Sequence, residues 1–115
     1  MMQSIGSYHH NNMSNHHHRD ILNRKRFEIV ECLNFQRTLL LNYLRSNHGF
    51  DEEDCELIMA EKADRGRAGK FIDFLLMKGS EAYQHFLDVI QVENANLYES
   101  LTGDKATSRK FSVYF

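Results

Sequence analysis

The stretch Phe50–Gly79 reads FDEEDCELIMAEKADRGRAGKFIDFLLMKG. It opens on acids: Asp51, Glu52, Glu53, Asp54 and Glu56 precede the apolar Leu57, Ile58 and Met59. A basic part follows, with Arg65, Arg67 and Lys70, and runs into Phe71, Ile72, Phe74, Leu75 and Leu76. Asp51 suits a helix N-cap, and Asp54 three residues on can complete a weak capping box. Phe50 before the cap and Cys55 at the fourth helical position can form a hydrophobic staple. Acids in a first turn also offset the helix dipole by roughly 0.3–1 kcal/mol each, so the run has a structural reason of its own. The next helix begins near Asp64, with a first turn loosened by Gly66 and Gly69, which each cost about 1 kcal/mol against alanine. Ala68, Phe71, Ile72 and Leu75 form its core stripe, and Arg67 and Lys70 project away from it. Gly79 suits the position after the helix, and Ser80 can cap the next one. Neighbouring helices of opposite charge give one small body two complementary faces. That suits a module docking onto its own copies or relatives better than a catalyst.

Outward from this stretch the pattern stays helical, and no proline interrupts it. A first helix over about Asp20–Leu33 carries Leu22, Ile29 and Leu33 on one side, Phe27 and Val30 beside them, and Arg24, Lys25 and Arg26 on the remaining surface. A second, over about Gln36–Ser46, has Leu40, Tyr43 and Leu44 at buried-stripe spacing before Asn47, His48 and Gly49 break it. Beyond Gly79 come Tyr83, Phe86, Leu87 and Ile90, the cleanest amphipathic stripe in the chain. A short last helix follows Asn94–Asn96, with Leu97 and Leu101, and stops at Gly103. Six helices with short connections predict an all-α, six-helix antiparallel bundle over residues 19–103. Residues 1–18, with His9, His10, His16, His17 and His18, read as a disordered His/Asn-rich arm rather than a metal site. Residues 104–115 read as a C-terminal tail or the start of a linker.

The 115 residues suffice for one domain, and 42% apolar with 26% charged residues predicts a soluble globule. A net charge of −2 gives no field that would recruit nucleic acid or an acidic membrane. No apolar run reaches membrane-spanning length and no secretory signal is visible, so the expected location is cytoplasmic. Cys32 and Cys55, the only cysteines, suit a reducing compartment.

At this point the residues resemble a known family. Lys70 through Gly79, then Ala82-Tyr83, Phe86 and Ile90, then Leu97 and Leu101, are similar to the second half of a caspase recruitment domain (CARD). Leu40–Arg45 followed by Asp51–Glu56 is similar to the second and third helices of that family. Leu101-Thr102-Gly103, then Arg109-Lys110-Phe111-Ser112, resembles the segment that leaves the CARD in CARMA-type coiled-coil scaffolds. The resemblance covers about Asp20–Gly103; it departs in lacking a proline between Val92 and Asn96 and in placing Gly66 and Gly69 beside an interface helix. It implies a death-fold bundle of Greek-key topology that signals by homotypic CARD–CARD contact in apoptotic or inflammatory (NF-kappaB type) pathways, as part of a scaffold or adaptor. The implied partners are other CARDs and copies of the chain itself, giving a homo-oligomer or filament. The implied contact sets an acidic face, Asp51, Glu53, Asp54 and Glu56, against a basic face, Arg24, Arg26, Arg65, Arg67 and Lys70. A monomeric decoy that blocks assembly is the alternative.

Other chemistry finds little support. Cys32, Cys55, His48 and His85 could supply a thiolate and a base, but Cys55 is explained by the staple and Cys32 by the core side of the first helix. Arg65-Gly66-Arg67-Ala68-Gly69 lacks the strand and the lysine-serine ending of a phosphate loop, and no aromatic platform for RNA flanks it. No finger-like ligand spacing exists, so neither metal nor cofactor is expected. Phe27, Tyr43, Phe71, Phe74, Tyr83 and Phe86 are expected in the core, with Phe74 and Met77 at the stripe's edge.

Overall fold

Apolar side chains three and four residues apart decide which side of each helix turns inward, and here they turn toward a shared aromatic centre. The computed structural model describes residues 17–36, 38–46 and 49–106. All described elements are helical: α1 (residues 17–24), α2 (Arg26–Cys32), α3 (Leu40–Ser46), α4 (Glu52–Met59), α5 (Asp64–Lys78), α6 (Ser80–Glu93) and α7 (Ala95–Thr102). Most of residues 1–18 and of the tail, together with Arg37, Asn47 and His48, lie outside the described residues. His17 and His18, read as the end of the arm, belong to α1, and His18 is buried against the Tyr83 ring.

Seven helices replace the six expected, because the first is broken at Lys25. Lys25 adopts φ −101°, ψ 11°, yet backbone hydrogen bonds from Lys25 N–H to Ile21 O (2.8 Å) and from Ile29 N–H to Lys25 O (2.9 Å) bridge the break. The cause lies in the stripe itself. Leu22 and Ile29 are fully buried, but the turn between them carries Lys25 and Arg26. Their charges leave in different directions, Lys25 to Ser100 Oγ on α7 (3.2 Å) and Arg26 to α5.

Two expectations for this region are corrected. Phe27 is not core: it is 72% exposed, two residues and so about 200° around the helix from buried Ile29. Cys32 is exposed as well, because Leu33 takes the interior position where the chain leaves α2 in extended conformation.

The core forms around Phe71 on α5. Its ring stacks on Phe50 (5.4 Å between centroids) and meets Phe86 (5.3 Å) and Phe35 (5.6 Å) edge-on, arrangements favoured by the ring quadrupole. Helix α5 packs against α2, α4 and α6, and α6 packs against α3, α5 and α7. Ala68, Ile72 and Leu75 are buried as the stripe requires, as are Tyr83, Leu87 and Ile90 on α6. Tyr43 and Phe74 are half-buried against this core, and Met77 is 72% exposed.

The helix ends follow local chemistry with two exceptions. Asp51 caps α4, Asn94 accepts from Leu97 N–H (3.1 Å) to cap α7, and Gly103 closes α7 in the left-handed region (φ 78°). Ser80, expected to cap α6, is instead its first residue, and the turn is made by Gly79 at φ 98°. Helix α3 begins at Leu40 rather than near Gln36. Its start is fixed locally by Thr38, whose hydroxyl accepts from Leu40 N–H (3.0 Å), and from afar by the Glu93 carboxylate at the end of α6, which accepts from Leu39 N–H (2.9 Å) and from the Thr38 hydroxyl.

Candidate protein interface

Helix α4 owes its start to a full capping box. Asp51 Oδ1 accepts from Asp54 N–H (2.8 Å), and Asp54 Oδ2 accepts from Asp51 N–H (3.1 Å). The same Asp54 carboxylate receives Lys78 Nζ from α5 at 2.6 Å, leaving its side chain 12% exposed. Burial works against its charge, but the Lys78 hydrogen bond, the Asp51 N–H and the Lys78 charge together hold its pKa below the usual aspartate range. Asp54 is thus turned inward, while Asp51, Glu52, Glu53 and Glu56 are exposed. Among the described residues, no salt bridge engages Glu52, Glu53 or Glu56.

The five cations expected on the basic face lie along α1, α2 and the first half of α5, and each meets an acid of its own chain. Arg24 pairs with Asp20 one turn away (3.1 Å). Arg26 reaches across to Asp73 (3.0 Å) and donates to Gly69 O (3.2 Å). Arg65 pairs with Glu31, joining the start of α5 to the end of α2. Lys70 lies 3.7 Å from Glu61. Arg67 is drawn furthest in: its Nε donates to Glu61 O (2.8 Å), its Nη1 lies 3.4 Å from Asp64, and its side chain is 14% exposed. None of these cations pairs with the glutamates of α4. Sequence reasoning singled out the cations but missed their partners Glu31, Glu61 and Asp73, and missed Lys78. Charge spacing within one helix cannot reveal a pairing between helices.

Gly66 has a packing reason: a Cβ there would lie 2.9 Å from Glu61 Oε1. Alanine would therefore push the Glu61 carboxylate away from its place beside Lys70.

The model of the caspase recruitment domain family matches residues 19–104. The chain belongs to the caspase recruitment domain family. CARDs are protein-interaction domains that bind other domains of the death fold, and the all-helical architecture agrees with that fold. No curated protein and no solved structure matches the chain.

The thiols of this CARD are tuned away from nucleophilic chemistry. Partial desolvation by the surrounding protein, and then the Glu28 charge, push the thiol of exposed Cys32 up, and burial does the same to Cys55. An activated thiol needs the opposite shift. Ellman's reagent at neutral pH should label exposed Cys32 well before buried Cys55, and more slowly than a free cysteine. Faster labelling of Cys55 would contradict the packing of α4 on the core. Among the described residues no group of three His, Cys, Asp or Glu side chains is placed to hold a metal, and no helix is long and apolar enough to cross a membrane.

Proposed function

We propose that this CARD is a homotypic interaction and oligomerisation module of a cytoplasmic signalling scaffold or adaptor, acting in apoptotic or inflammatory signalling of the NF-kappaB type. The observation that carries the reading is the separation of charge: exposed Glu52, Glu53 and Glu56 on α4 have no salt-bridge partner among the described residues, while Arg24, Arg26, Arg65 and Lys70 lie along α1, α2 and α5. Asp51, Glu53 and Glu56 form the acidic face, with Asp54 anchoring it from below. Arg24, Arg26, Arg65 and Lys70 form the basic face, with Arg67 fixing the start of α5. Exposed ion pairs contribute only about 0.2–1 kcal/mol each. A single encounter is therefore weak, and a subunit held by several neighbours gains through effective concentration. The resemblance to CARMA-type scaffolds favours that setting, with partners among other CARDs and further copies of this chain.

Light scattering and sedimentation of the Glu53→Lys/Glu56→Lys double variant test the reading. Wild type should associate with rising concentration, less so at high salt. The variant should need at least about tenfold more protein, because like charges would then face each other. Mixing it with an Arg65→Glu/Lys70→Glu variant should restore assembly. Association of the acidic-face variant at wild-type concentrations would refute the assignment of that face.

The internal pairing of every basic-face cation favours a second reading, a monomeric regulatory CARD that occupies a partner and blocks its assembly. Wild type that stays monomeric across concentration and salt, yet binds another CARD, selects that reading.

A further inference from the structure

Phe27 is the most exposed aromatic side chain among the described residues, at 72%. A single exposed apolar residue is ordinary on a protein surface. What distinguishes this one is its setting. Within α2 it precedes Glu31 by four residues, so the two share a helix face, and Glu31 holds Arg65; Arg24 stands three residues before it, at the end of α1 across the Lys25 break. The Arg65 guanidinium is thus held on the Phe27 side of α2, and Arg24 lies one turn ahead in the chain.

A matching receptor lies elsewhere on the same body. Between α3 and α4 runs a groove of about 340 Å³, walled by Phe35, Leu41, Cys55 and Met59. Glu52 and Glu56 stand at its rim, with one cation, Arg45, among its lining residues. A cavity of about 150 Å³ accepts benzene, so this groove has room for a phenyl ring. Phe27, on α2, is 72% exposed and is not among the residues that line the groove, so it does not fill the groove of its own chain.

We infer that Phe27 is the apolar anchor of a head-to-tail contact, inserting into the α3–α4 groove of a second copy of this chain while Arg24 and Arg65 meet Glu52 and Glu56. The inference rests on the self-assembly reading above and adds its centre. Charges at a rim set orientation, whereas a desolvated aromatic in a pocket dominates affinity. Ring and groove being different patches, the contact is heterologous, and it propagates into a ring or an open array.

The test uses the full chain and two variants, Phe27→Ala and Met59→Lys. The second places a cation at the groove mouth, where it would repel the incoming arginines. Both positions are exposed, so both variants should keep the wild-type helical circular dichroism. Wild type should assemble, while each variant alone should need at least about tenfold more protein. An equimolar mixture should give dimers that grow no further, since the alanine variant keeps its groove and the lysine variant keeps its ring. Assembly of Phe27→Ala at the wild-type concentration overturns the anchor while leaving the charge-based reading intact. Loss of assembly in Met59→Lys alone means that something other than Phe27 fills the groove, and overturns it too. Wild type that never self-associates removes both.

Discussion

Phe71→Ala should destabilise the domain by about 3–5 kcal/mol, the cost of deleting a buried aromatic ring and leaving a cavity. Phe71 is fully buried and touches three other rings, contributed by Phe35, Phe50 and Phe86. These come from the segment after α2, the residue before the α4 cap, and α6. One ring thus ties together parts of the chain far apart in sequence. Against a total stability of about 5–15 kcal/mol, the loss takes a large share and leaves a marginal fold. Urea unfolding followed by circular dichroism reads the effect as a lower midpoint at unchanged slope. A loss under about 1 kcal/mol would mean that the neighbouring rings collapse into the gap, and that the core has no single centre.

Asp54→Ala should cost about 1–2 kcal/mol, because it removes the N3 half of the capping box and the carboxylate that Lys78 meets, while Lys78 itself can turn to solvent. The effect carries a pH signature. The folded-state pKa of Asp54 lies below its unfolded value, so its contribution is complete above the ordinary aspartate pKa of about 3.9. It is lost as pH falls through the folded value. Acid titration of stability should therefore fall more steeply below about pH 4 in wild type than in the variant. Parallel acid limbs would show that Asp54 gains nothing from Lys78.

Much of this was legible in the chain. The Asp51–Asp54 cap, the stripes on α5 and α6, and the stop at Gly103 follow from local chemistry, which sequence displays directly. The failures share one cause. The sequence pattern places Phe27 and Cys32 on the apolar side of one long helix, but Phe27 lies about 200° around α2 from buried Ile29, and Leu33 takes the interior position that the pattern offers Cys32. The start of α3 is marked locally only by Thr38, whose hydroxyl accepts from Leu40 N–H, and it is completed by Glu93, some fifty residues further on, which no local pattern reveals. At the candidate interface, residue types were readable but their internal partners were not. Arg67 looked free because its acceptor, a backbone carbonyl at Glu61, carries no signature in the sequence.

The pairing of Arg24, Arg26 and Arg65 with acids of their own chain also bears on how quickly two molecules find each other. Each pair is a short dipole whose field fades within a few ångströms of the surface, so an approaching molecule is not drawn in from a distance. Encounter should then proceed at the unsteered rate of about 10⁵–10⁶ M⁻¹s⁻¹. Discrimination is left to the moment of touching, when each arginine exchanges one carboxylate for another.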